Sequence, residues 1–114
     1  MAKKKIERTN LLTTLEVGVI KSVIALGDDA YGVTVFNAIR SINHSLAFAS
    51  VYTALERLTW KGYLEARLGD PQPARGGRAK KFYRVTDRGM KALNATLKFV
   101  TSDIVVTEFV EALD

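Results

Sequence analysis

Residues 76–89 read GGRAKKFYRVTDRG and hold a turn, a basic strand and a helix start within fourteen positions. The two glycines allow a tight turn, because they carry no side chain that could clash with the backbone. Aromatic and β-branched residues at 82–85 favour a strand. Thr86 followed by Asp87 is typical of a helix N-terminus. The stretch therefore predicts a cationic hairpin that leads directly into a helix.

Hydrophobic periodicity on either side of this stretch predicts the other elements. Glycines 27 and 62 are expected to end the first and third helices, and Asp28 or Asp29 to cap the second. The elements in order are a helix over Leu11–Leu26, a helix over Tyr31–Ile42, a helix over Phe48–Lys61, a strand over Tyr63–Leu68, a loop over Gly69–Gly77, a strand over Lys80–Val85 and a helix from Thr86 towards Leu113.

This order predicts a mostly α-helical protein with one small β-hairpin. A two-stranded ribbon is not stable alone, so it must pack on the helices. Three helices with such a ribbon make a winged helix-turn-helix, and the last helix extends beyond it. We expect a basic N-terminal arm over residues 1–10, a winged helix domain over 11–86 and a C-terminal dimerisation helix over 87–114.

Charge is concentrated in the middle of the chain. The 114 residues suffice for one compact domain and carry a formal net charge of +5. Nine basic residues face three acidic ones between Arg57 and Arg88. Such a balance favours an anionic partner, either nucleic acid or an anionic membrane surface, although many small basic proteins bind neither. Without cysteine, a signal core or a long apolar run, the chain is expected to be soluble and cytoplasmic, with no membrane partner.

The third predicted helix and the hairpin carry residues suited to double-stranded DNA. Hydroxyl groups near a helix start, followed by a cation, suit base edges and phosphates. For Tyr52 the alternative is a half-buried core position, for Arg57 an ion pair with Glu56 or another local acid, and for the hairpin a solvated basic turn. The candidate DNA contacts are Ser50, Tyr52, Thr53 and Arg57 on the helix and Arg75, Arg78, Lys80 and Lys81 on the wing.

Nothing in the sequence indicates catalysis, a metal or another cofactor. His44 is the only histidine, and no glycine-rich phosphate loop precedes a Lys-Ser/Thr pair. The adjacent carboxylates of Asp28 and Asp29 are explained by helix capping. Trp60 could stack on an apolar ligand or pack against the wing or the last helix.

The last helix carries a heptad-like apolar repeat. Met90, Leu93, Leu97, Val100 and Ile104 follow one another at three- and four-residue steps. A small domain has little surface to cover such a helix, so pairing with a second copy is favoured over folding back on its own domain. The predicted dimer interface comprises Leu12, Leu15, Met90, Leu93, Leu97, Val100, Ile104, Phe109 and Leu113.

The chain resembles the PadR family of bacterial transcriptional regulators over nearly its whole length, and three segments carry the resemblance. They are the Tyr31-Gly32 pair, the recognition-helix pattern Ser50-Val51-Tyr52, Leu55, Arg57-Leu58 and Gly62, and the wing-to-helix signature Gly76-Gly77-Arg78 to Lys81, Tyr83-Arg84-Val85-Thr86 and Gly89. The chain departs from the family pattern at Ala49, where glycine is common, and at Thr53 and Ala79, where proline is frequent. These departures bear on sequence preference more than on fold.

The resemblance implies a homodimeric winged-helix repressor. A twofold dimer is expected to bind a pseudo-palindromic operator, and Tyr31 is a further candidate DNA contact. In many family members a small aromatic or cationic effector relieves repression. Some short members bind planar drugs between tryptophans of the last helix, but this chain has none there, and Phe99 and Phe109 are the aromatic residues in that region. The alternative reading is a winged-helix module that binds another protein and no specific DNA.

Overall fold

The computed structural model describes residues 11–69 and 79–101. These residues form four α-helices and an antiparallel ribbon, in the order α1 (Thr14–Leu26), α2 (Gly32–Arg40), α3 (Phe48–Trp60), β1 (Leu64–Leu68), β2 (Lys81–Val85) and α4 (Asp87–Val100). The mostly helical fold with a small hairpin is thus confirmed. The arm over residues 1–10, most of the predicted loop and the chain beyond residue 101 lie outside the described residues.

Local capping sets the bounds of α1. The backbone N–H of Glu16 donates to Thr13 Oγ1 over 3.1 Å, and the N–H of Thr13 donates to Glu16 Oε1 over 2.9 Å. This capping box satisfies two donors that a helix N-terminus leaves unpaired, so α1 starts after Thr13 and not at Leu11. Gly27 ends the helix as predicted, with a φ of 58°.

The predicted cap of α2 is wrong. Asp28 and Asp29 belong to a 3-10 turn over Gly27–Asp29. Two residues, Ala30 and Tyr31, separate that turn from Gly32, where α2 starts. Thr34 Oγ1 accepts from the Tyr31 N–H over 2.9 Å and donates to the carbonyl of Asp29 over 2.5 Å. The turn places both carboxylates upstream of the helix, and the hydroxyl of Thr34 satisfies the helix start instead.

Backbone hydrogen bonds tie the ribbon to the segment before α2 and close its end where α4 begins. Its strands pair with Ala66 opposite Tyr83 and Leu68 opposite Lys81. The Tyr83 N–H donates to the carbonyl of Ala30 over 2.9 Å, and the Thr86 N–H donates to the carbonyl of Tyr63 over 3.1 Å. Tyr83 also closes over a core formed by α1, α2, α3 and β1, whose fully buried side chains include Val19, Ile20, Val23, Val35, Val51, Leu55, Leu58 and Leu64.

The last described helix continues directly from β2. Thr86 caps α4 as predicted, because its Oγ1 accepts from the Gly89 N–H over 3.0 Å. A buried hydrogen bond from the Leu12 N–H to Thr96 Oγ1, 2.9 Å long, ties the start of α1 to α4. None of the described helices is long and apolar enough to cross a bilayer.

Candidate nucleic-acid interface

The outer face of α3 presents the polar residues predicted to meet DNA. Ser50, Thr53 and Arg57 are exposed on the side of the helix opposite the buried Val51, Leu55 and Leu58. Within the described residues Arg57 forms no ion pair. Its expected alternative partner, Glu56, binds Lys81 instead. The guanidinium of Arg57 is therefore available to an external ligand.

The exposure of Tyr52 is intermediate between that of a surface DNA contact and that of a half-buried core residue. Its side chain is 45% exposed. Its ring stacks on Phe48 with a centroid distance of 6.2 Å, and Phe48 meets the edge of Phe36 at 5.2 Å. This aromatic row supports the start of α3 and leaves Tyr52 on the surface at its end.

Glu56 joins the wing to α3. Its Oε2 lies 3.1 Å from Lys81 Nζ and accepts from the Tyr83 hydroxyl over 3.2 Å. Burial, assisted by the Glu56 carboxylate, raises the pKa of the Tyr83 phenol well above its ordinary value, so the phenol stays a donor. Lys81 thus neutralises an acidic group at the base of the wing, a role that its basic character alone did not reveal.

Tyr31 supports the neighbouring cation. The ammonium group of Lys80 lies 4.1 Å from the centroid of the Tyr31 ring, and the edge of Phe82 meets that ring at 5.4 Å. Arg67 lies 5.0 Å from the centroid of the Phe82 ring. Cations over aromatic faces are held by the ring quadrupole. Tyr31, a candidate DNA contact, is half-buried and positions Lys80.

The start of α1 borders α3 on the side away from the wing. A cavity of about 310 Å³ separates the two helices, with Thr13 and Glu16 on one wall and Ser50 and Arg57 on the other. The buried Glu16 carboxylate pairs with Lys61 Nζ at 3.4 Å, which neutralises it. The exposed face of α3 is therefore flanked by the wing on one side and by the N-terminus of α1 on the other.

Not every predicted site residue is placed as expected. Leu12 and Leu93 are buried in the core of the protomer, and Leu15 is packed against that core. Met90, Leu97 and Val100 are exposed on α4. The positions outside the described residues are Arg75, Arg78, Ile104, Phe109 and Leu113.

Two features of the site were missed from the sequence. From the sequence, Glu56 is expected only as an ion-pair partner of Arg57, although adjacent helical residues point in different directions. Trp60 was expected to pack on the wing or the last helix or to stack on a ligand, yet its side chain is 87% exposed. The packing prediction is wrong because Trp60 lies seven residues after Thr53, on the same outer face of α3. The seven-residue spacing is close to two helical turns, so the sequence alone could have placed Trp60 on this face.

A sequence model of the Transcriptional regulator PadR-like family matches residues 22–95, which is most of the chain. The chain belongs to the PadR-like family. Its members are transcriptional regulators and not enzymes, and the match spans α2, α3, the ribbon and the start of α4. No curated protein is significantly similar in sequence.

Solved structures show the same fold. A PadR family transcription regulator of Clostridium difficile R20291 is 19% identical with a TM-score of 0.65, over 86% of this chain and 99% of that one. A PadR-like transcriptional regulator of Bacillus cereus is 21% identical with a TM-score of 0.62, over 88% and 91%. A transcriptional regulator of Clostridium thermocellum is 22% identical with a TM-score of 0.63, over 83% and 91%.

Proposed function

We propose that this PadR-like protein is a dimeric, sequence-specific DNA-binding repressor. The observation that carries the proposal is the exposed stripe of Ser50, Thr53 and Arg57 beside the cations Lys80 and Lys81. A helix of this kind fits the major groove, where hydroxyl and guanidinium groups read base edges. The wing cations then lie towards the adjacent phosphates, which fix the register of the helix without reading sequence.

The test is selection of genomic fragments with the purified protein at about 150 mM salt, followed by sequencing of the bound DNA. A shared pseudo-palindrome supports a sequence-specific regulator, and transcription from that site in the presence of the protein tests repression. Salt-sensitive retention without a shared site contradicts sequence specificity. The absence of retention would favour the protein-interaction module.

Because Lys81 pairs with Glu56 and Lys80 does not, we expect the two wing lysines to contribute differently to DNA affinity. Lys81→Ala leaves the Glu56 carboxylate without its cation on the DNA-facing helix, so we expect a loss of DNA affinity of about tenfold or more, and a smaller loss for Lys80→Ala. Adding Glu56→Gln to Lys81→Ala should recover part of the loss, because the repulsive charge is gone. Anisotropy titrations with labelled duplex measure these affinities.

Lys91→Ala on α4 serves as the control, since Lys91 is exposed and lies on a helix that carries none of the candidate DNA contacts. Equal losses for the two wing lysines, with no recovery in the double variant, would show that Lys81 acts only as a phosphate contact.

Dimerisation is supported by the apolar surface of α4. Met90, Leu97, Phe99 and Val100 are 38%, 36%, 53% and 68% exposed. Exposed apolar residues clustered on one element indicate an interface. A twofold dimer places two recognition helices about one turn of DNA apart, on a pseudo-palindromic site.

We expect Leu97→Asp combined with Val100→Asp to produce a monomer, because both side chains would place charge in an apolar interface. Light scattering after size exclusion measures the mass. Leu68→Asp is the control, since Leu68 is 71% exposed but lies on the ribbon. A variant that still elutes with the mass of a dimer would refute an interface built on this part of α4.

An effector site is supported by a cavity between α1 and α2. It has a volume of about 740 Å³ and is lined mainly by apolar residues, among them Val17, Ile39, Ile42 and Leu46. Pockets of a few hundred Å³ with such linings accept small molecules. Tyr31, at the start of α2, contacts Lys80. A small aromatic or cationic compound that binds here and shifts α2 would therefore displace Lys80 on the wing. Repeating the DNA capture with such compounds tests relief of binding.

A further inference from the structure

Trp60 is the most exposed large apolar side chain of the described residues, at 87%. It ends α3 and follows Ala49, Thr53 and Glu56 at steps of four, three and four residues, which places all four on one face. With Thr53, Glu56 and Arg57 it lines a shallow depression on the outer side of the helix. The exposed indole therefore extends the face that carries the candidate DNA contacts.

We propose that Trp60 contacts the sugar–phosphate backbone at the edge of the major groove that α3 enters. This inference rests on the proposed function. Seven residues separate Thr53 from Trp60, which is about 10 Å along an α-helix, and the major groove is about 12 Å wide. When Thr53 lies over base edges, Trp60 reaches the strand that borders the groove. There the indole N–H can donate to a phosphate oxygen while the ring covers deoxyribose.

The surroundings of Trp60 favour DNA over a protein partner. Arg57 beside it forms no ion pair within the described residues, and the Glu56 carboxylate is bound by Lys81 and Tyr83. The depression thus presents a cation and a neutralised acid. A protein interface of ordinary size needs an apolar centre built from many residues, whereas Trp60 shares this depression with polar and charged residues only.

The chain contains a single tryptophan, so its intrinsic fluorescence reports on Trp60 alone. We would titrate the intact protein with the selected operator and with a random duplex, following tryptophan emission and the anisotropy of labelled DNA together. We expect the emission to be quenched and shifted to shorter wavelength along the same binding curve for both duplexes. Trp60→Ala should weaken binding to both about tenfold. The slope of log affinity against log salt should not change, because no charge is removed.

Trp60→Phe should lose less affinity than Trp60→Ala, since a ring remains. Unchanged emission while anisotropy shows full binding would overturn the inference and leave the proposed function intact. Absence of any anisotropy change would overturn the proposed function itself. An emission shift that follows protein concentration without DNA would place Trp60 at a protein interface and also overturn the inference. Because the side chain is exposed, the Tm of each variant should stay that of the parent.

Discussion

Replacing Gly89 with alanine is expected to lower the free energy of unfolding by about 2–4 kcal/mol. Gly89 is buried in the first turn of α4, and a Cβ atom there would overlap the carbonyl oxygen of Tyr63 and lie 2.9 Å from Val85 Cγ1. The carbonyl of Tyr63 has little freedom to move away, because it accepts from the Thr86 backbone N–H. The added methyl group must therefore push α4 off the ribbon or break the cap that starts it.

Gly18→Ala is the matched control. Gly18 lies inside α1, and a Cβ atom there would meet no other atom within 4 Å. Alanine is a better helix former than glycine, so this variant should gain roughly 0.5–1 kcal/mol. Urea unfolding followed by circular dichroism measures both changes. A Gly89→Ala protein as stable as the parent would show that α4 does not need this close approach to the ribbon.

The elements that the sequence predicted well are those whose ends are set by neighbouring residues. The cap at Thr86 and the helix ends at Gly27 and Gly62 depend on a few adjacent side chains and on glycine at a positive φ of 58° and 85°. The failure at Asp28 and Asp29 has the same local origin. Asp28 and Asp29 lie in a 3-10 turn, so Tyr31 and not an aspartate occupies the N-cap position of α2.

The contacts that organise the candidate site depend on how distant segments pack. Lys81 meets Glu56, and Lys80 lies over Tyr31, only because the ribbon packs against α3 and bridges through Phe82 to Tyr31, just before α2. No local pattern encodes that docking. The basic run therefore predicted a charged wing without showing that one lysine neutralises an acid.

The apolar repeat of the last helix predicts burial without identifying the surface that buries each residue. A heptad-like pattern shows which side chains seek burial, but it does not say whether the protomer or a second copy covers them. Leu93 is buried in the core of the chain itself, while Leu97 and Val100 remain on the surface. The same pattern thus contains both intramolecular and solvent-facing positions.

Arg57→Lys is expected to separate base reading from charge attraction. Arg57 is exposed near the middle of the outer face of α3 and has no ion pair among the described residues. A guanidinium can bond guanine with two parallel hydrogen bonds, which a lysine ammonium does not reproduce in the same fork geometry. We expect a loss of about 10- to 100-fold on the selected operator, with little change on a random duplex.

Arg57→Ala should add the loss of a cation. Its affinity for the random duplex should then also fall. The slope of log affinity against log salt should decrease in magnitude by about one. Arg84→Ala is the control, because Arg84 is exposed on the ribbon and is held by Glu65 at 3.0 Å. Anisotropy titrations over a range of salt concentrations give all of these quantities. If Arg57→Lys keeps full operator affinity while Arg57→Ala does not, Arg57 contacts phosphate. The other candidate contacts on α3, Ser50, Tyr52 and Thr53, would then have to carry the base contacts.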